Sequence, residues 1–132
     1  MLAIVFMAFM ACENAQVRKK LVGSWSYDLE ATRLEMMRQE ATPSQINYME
    51  SILTTLDAAK LLFESDGSML LLLDDIEQSG TWILQKKGKE LVMNLTGSDQ
   101  VSTIKYISSD TLVLDPQRVD QISFPRVLIS TD

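Results

Sequence analysis

The sequence has no histidine and only one cysteine among its 132 residues. Without histidine there is no side chain that ordinarily titrates near neutral pH. That removes imidazole acid–base chemistry and the nitrogen ligands zinc sites commonly use. A lone thiol forms neither a disulfide within the chain nor a multi-cysteine metal site. Positive charge is also scarce, with 12 Lys and Arg against 18 Asp and Glu, a net charge of −6. The basic runs Arg18-Lys19-Lys20 and Lys86-Lys87-Gly88-Lys89 are too short to follow a phosphate backbone, so no nucleic-acid partner is expected. Aromatic residues amount to 7%, and Gly and Pro to 5 and 3 residues. What is present is apolar surface: 46% hydrophobic residues in a chain of this length suit one globular domain.

Recognisable reaction chemistry is equally sparse. Ser24 and Ser26 have no histidine to activate them, and no glycine-rich phosphate loop occurs. The carboxylates of Asp74-Asp75-x-Glu77 lack the ligand spacing and the glycine of a calcium loop, and read as solvated turn charge. The expectation is a protein that is not an enzyme, with no cofactor and no metal.

Residues 1–11 carry no charged or polar side chain and end in Ala11 directly before Cys12. At about 1.5 Å per residue such a helix falls short of a bilayer core of about 30 Å. The run instead has the length of a signal-peptide core. It resembles the lipobox of bacterial lipoproteins, although Phe9 and Met10 stand where Leu and a small residue are usual. The resemblance implies cleavage before Cys12, lipidation of its sulfur, and a cell-envelope location on the outer membrane, facing periplasm or surface. Residues 1–11 are then a signal peptide, residues 12–20 the lipid anchor and a polar tether, and residues 21–132 the folded domain. The other reading makes 1–12 an N-terminal strand with Cys12 as a buried hydrophobe. The Met-, Ala- and Phe-rich run, without alternation, favours the leader.

Turn signals punctuate the second half. They fall at Ser65-Asp66-Gly67, Gln78-Ser79-Gly80, Lys87-Gly88, Thr96-Gly97-Ser98, Ser108-Ser109-Asp110 and Asp115-Pro116. Asp66-Gly67, between Leu61-Leu62-Phe63 and Met69-Leu70-Leu71-Leu72-Leu73, predicts a hairpin. Alternation puts Trp82 with Leu84, Leu91 with Met93 and Leu95, and Leu112 with Leu114 on single faces. Runs at 100–108, 111–115 and 121–129, with Pro125 at an edge or bulge, and a first run at 21–27, bring the count to eight strands. The consecutive leucines 70–73 predict a strand apolar on both faces, one of them covered by a helix.

Residues 28–60 contain no glycine and one proline and are rich in helix formers. Thr42-Pro43-Ser44-Gln45 has the form of a capping box with proline at the first helical position. Ile46, Met49, Leu53 and Leu56 follow at helical spacing, predicting a helix over 43–58. A shorter helix over 33–40 would bury Leu34 and Met37 and leave Glu30, Arg33, Glu35, Arg38 and Glu40 in solvent.

Together, Gly23-Ser24-Trp25, the helical insertion, Phe63 to Ser68, Ser79-Gly80-Thr81-Trp82 and Asp110 to Leu114 resemble the small lipocalin-like domains of Bacteroidetes lipoproteins. The resemblance implies an eight-stranded antiparallel up-and-down barrel with one or two helices between strands 1 and 2. Its mouth would be closed by Trp25 under an arginine of the last strand, here Arg126. It also implies a membrane-anchored protein for a small apolar ligand, with Trp25, Phe63, Trp82, Met93 and Tyr106 as candidate lining. The alternative is a structural or partner-binding envelope lipoprotein with a solid barrel. An interior this wide either fills with side chains or holds one small ligand, and strand count does not choose between them.

Overall fold

In the computed structural model, which describes residues 14–95, 97–117 and 123–132, the alternating runs become eight antiparallel strands. They are β1 (Gly23–Tyr27), β2 (Lys60–Phe63), β3 (Ser68–Leu73), β4 (Ile76–Gln85), β5 (Glu90–Asn94), β6 (Asp99–Ile107), β7 (Thr111–Pro116) and β8 (Arg126–Ser130). Each pairs with the next, and β8 pairs back onto β1 with Trp25 opposite Ser130 and Tyr27 opposite Leu128. The sheet therefore closes into the expected barrel and leaves no edge strand. Trp25, Leu61, Phe63, Met69, Trp82, Leu91, Met93, Leu112, Leu114 and Leu128 form its core, each 5% exposed or less. Residues of this size gain about 1.5–3 kcal/mol each on full burial, so this one cluster dominates stability.

Local chemistry sets the connections. Asp66-Gly67 makes the predicted hairpin between β2 and β3, with Gly67 at φ +92° and the Asp66 carboxylate accepting from the Ser68 amide at 2.9 Å. The Gln78-Ser79-Gly80 turn signal is overturned, because those residues lie inside β4. The chain reverses earlier, at Asp74-Asp75, where Leu73 pairs with Ile76 and Asp74 adopts φ 51°, a conformation Asp tolerates better than most residues. Gly80 serves packing: a Cβ there would sit 2.2 Å from the Asn94 carbonyl oxygen on the neighbouring strand. Strand β8 begins after Pro125, and the first part of the expected 121–129 run lies outside the described residues.

Three helices occur among the described residues: α1 over residues 14–21, α2 (Leu29–Arg38) and α3 (Pro43–Thr55). The last two form the insertion between β1 and β2. The capping box of α3 is present, with Gln45 N–H donating to Thr42 Oγ1 at 3.2 Å and Thr42 N–H donating to Gln45 Oε1 at 2.8 Å. Helix α2 starts earlier than expected because Asp28 caps it, accepting from the Ala31 amide at 3.0 Å. Its buried face also differs: Thr32, Glu35 and Met36 face inward, while Leu34 and Met37 are 53% and 58% exposed. The reason is polar. Glu35 is drawn in by Lys105 of β6, and the Thr32 hydroxyl accepts from the Val127 amide of β8 at 3.0 Å.

Helix α3 does not cover the leucines of β3. Its buried Met49 and Leu53 join Met36 and Phe124 in a second apolar cluster, and Leu70 and Leu72 stay half-buried on the outer wall. The polar tether is likewise corrected, since residues 14–20 belong to α1, which packs on one end of the barrel. Val17 and Leu21, four apart on one helix face, point that way; Val17 lies against Gly88 and Leu21 is fully buried. The folded domain thus includes residue 14, and the segment expected to be a leader, with Cys12, lies outside the described residues.

Candidate functional site

The two ends of the barrel are built differently. At the α1 end both tryptophans are locked in place. Trp25 Nε1 donates to the Leu21 carbonyl at 2.8 Å. Trp82 Nε1 donates to the carbonyls of Glu64 and Ser68 at 3.0 and 2.9 Å. Phe63 meets Trp82 edge to face with ring centroids 5.6 Å apart. The Arg18 guanidinium lies 4.6 Å from the Trp82 centroid and donates to the Ser65 carbonyl at 2.5 Å. A cation over an indole thus closes this end, but through a different pair from the one the family resemblance implied.

The correction follows from register. Ser130 is the residue opposite Trp25, so Arg126 starts four residues further along β8, about 13 Å away at strand rise. Arg126 instead sits 5.7 Å from the Tyr27 ring centroid and 5.2 Å from that of Phe124, and its Nη1 donates to the Tyr27 hydroxyl at 3.3 Å.

That places Arg126 at the opposite end, where the described residues line a cavity. Cross-strand pairing aligns Met93 with Gln100, Ser102 with Pro116, and Leu114 with Arg126, and side chains paired in this way share one face of the sheet. These six residues, with Asp99, Val101, Gln117, Ser123 and Phe124, line a cavity of about 530 Å³. Its floor is the packed core, since Met93 and Leu114 also belong to the main apolar cluster. Phe124 links the cavity to the α2–α3 cluster. On the wall, Asp99 accepts from Asn94 Nδ2 at 3.0 Å and Gln117 Nε2 donates to Glu90 at 2.8 Å. Hydrogen bonds from Gln85, and then the nearby Lys86 ammonium and Gln117 amide, hold the Glu90 carboxyl below its usual range against the opposing effect of burial.

Of the five residues expected to line a ligand site, the structure brings only Met93 to this mouth. Phe63 and Trp82 are core. Trp25, also core, borders a second cavity of about 560 Å³ beside α1, with Gln16, Lys19, Lys20, Val22, Ser109, Ser130 and Asp132. Tyr106 is 55% exposed on the outer wall, opposite Val113, because the bulge between Ile104 and Tyr106 shifts the β6 register. Gln100, Ser102 and Phe124 were not singled out from sequence. Alternation carried a signal for Gln100 and Ser102, as polar residues in step with inward positions near a strand end.

Among the described residues no group of three or more Asp, Glu, Cys or His could hold a metal ion, and no helix is long and apolar enough to cross a membrane.

This geometry defines a closed eight-stranded antiparallel barrel with one end stoppered by a helix and a cavity lined by described residues at the other. No family model matches the chain, and no curated protein matches it. Among solved structures it is similar to a DUF4847 family protein from Bacteroides vulgatus ATCC 8482, at 13% sequence identity and a TM-score of 0.50. The match covers 83% of this chain and 92% of that one. At that identity the likeness shows the fold, a barrel shared with a protein of the Bacteroides group.

Proposed function

We propose that this chain is a lipid-anchored, lipocalin-like binding protein of the bacterial cell envelope that takes a small amphipathic ligand at the open mouth of its barrel. The observation that carries the reading is the cavity of about 530 Å³ between β5, β6, β7 and β8, a size within the range of small-molecule sites. Met93, Leu114 and Phe124 offer it apolar surface, while Gln100, Ser102 and Arg126 offer polar groups. Because Trp25, Phe63 and Trp82 fill the barrel below, the ligand rests in the mouth and not in the lumen. The chain acts by binding and not by catalysis.

Anchoring through Cys12 suits this architecture. Residue 14 already belongs to the plug, so a lipid two residues earlier would hold the stoppered end at the membrane and turn the mouth toward the aqueous side. Lipidation is tested by Cys12→Ser, which should release the protein from the membrane fraction; a variant that stays membrane-bound rejects the anchor. The mouth is tested by calorimetric titration with decanol. Binding should occur and be lost in Ser102→Trp, which fills the cavity from β6, and a titration without heat in the unmodified protein rejects the site.

A further inference from the structure

We infer that the ligand of this mouth carries a carboxylate and that Arg126 receives it; the inference rests on the mouth being a binding site. The β7–β8 register sets Arg126 opposite Leu114 on the inner face, where it is half-buried and lines the cavity. Arg33, Arg38, Lys86 and Lys105 each hold a carboxylate. Among the described residues none lies within ion-pair reach of Arg126, whose neighbours are the Tyr27 and Phe124 rings and the Tyr27 hydroxyl.

Aromatic faces stabilise a guanidinium but are only weak acceptors of its N–H groups, and a single phenolic oxygen satisfies one donor of five. A planar oxyanion fits the remaining donors in pairs. Gln100 and Ser102 bring an amide and a hydroxyl to the same cavity, and Met93, Leu114 and Phe124 provide the surface for an alkyl chain.

Charge selects among oxyanions. The mouth contributes one described cation, its acidic wall residue Asp99 is already bonded to Asn94, and the whole chain carries −6. One negative charge is matched there, whereas a dianionic phosphate monoester would bring a second charge into an acidic protein.

The test is calorimetry on the folded protein with decanoate, decanol and decyl phosphate at neutral pH. Decanoate should bind about tenfold more tightly than decanol, the scale of one charge-assisted bidentate contact. In Arg126→Met that preference should vanish. Equal affinities for decanoate and decanol in the unmodified protein overturn the assignment without needing the variant to fold. So does a carboxylate preference that survives Arg126→Met, or tighter binding of decyl phosphate. Decanol binding with no carboxylate preference leaves the mouth reading standing and removes only the role of Arg126. Silence from all three ligands removes both.

Discussion

Trp82 shows how one buried ring organises an end of the barrel. Its indole N–H is shared between two carbonyls of the β2–β3 connection, Phe63 meets its plane edge-on, and Arg18 covers it from α1. Arg18 is thus the bolt between the plug and the barrel, tied also to the Ser65 carbonyl. Replacing it with alanine removes a cation–ring contact and a hydrogen bond, and should cost about 1–3 kcal/mol of stability. The urea midpoint followed by tryptophan emission measures this, and an unmoved midpoint would show the contact to be incidental. Neither member of this pair is the expected one: the resemblance implied Arg126 over Trp25, and the structure sets Arg18 over Trp82. Alternation sets Trp82 on one face with Leu84, but whether an arginine lies over an indole depends on the register of β8 against β1 and on the placement of α1. Both are non-local. The run Arg18-Lys19-Lys20 reads from sequence as part of a polar tether because the ring it serves is 64 residues away in the chain.

Helix α2 is held by polar contacts that its apolar pattern conceals. Glu35, 5% exposed, pairs with Lys105 of β6 and with Arg38, and accepts from Gln39. The hydrogen bond from the Lys105 ammonium, aided by Gln39, lowers the Glu35 carboxyl below its ordinary value of 4.5, against the opposing effect of burial. A folded-state value below the unfolded one stabilises the protein above the unfolded value, and that contribution is lost as pH falls through the folded value. Unfolding midpoints should therefore drop between neutrality and acid, and Glu35→Gln should flatten that acid limb. A variant with the same pH dependence as the parent would assign the acid sensitivity to other carboxylates. The limits on reading this element from sequence have the same origin. The capping box of α3 was legible because it is complete within four residues, Thr42 to Gln45. The buried face of α2 was not, since Leu34 and Met37 lose their inward place to an ion pair formed across 70 residues. Gly80 was misread for a related cause: the Asn94 carbonyl that requires a glycine there lies on the next strand.

On the scale of the whole molecule, the chain carries two apolar clusters of unequal weight. The barrel core draws buried residues from all its strands except β6, whose Ile104 and Ile107 pack against it, whereas the second cluster has four buried members, Met36, Met49, Leu53 and Phe124. The barrel strands have no free edge at which unfolding can begin, while α3 is held mainly by α2 and Phe124. Sub-global opening starts where little apolar surface must be exposed, so α3 amides should exchange with deuterium at a lower free energy than those of β2 to β4. Native-state hydrogen exchange measures the difference, and α3 amides that exchange only with global unfolding would show that the two clusters act as one cooperative unit. Phe124 connects this prediction to the mouth, because it belongs to the second cluster and also lines the cavity. A molecule seated against that ring in the closed form, and released when α3 opens, must raise α3 protection in proportion to its free concentration over its dissociation constant. Decanoate should thus slow exchange in α3 more than in β2, and uniform slowing throughout the chain would mean that the mouth and the helical pair are energetically independent.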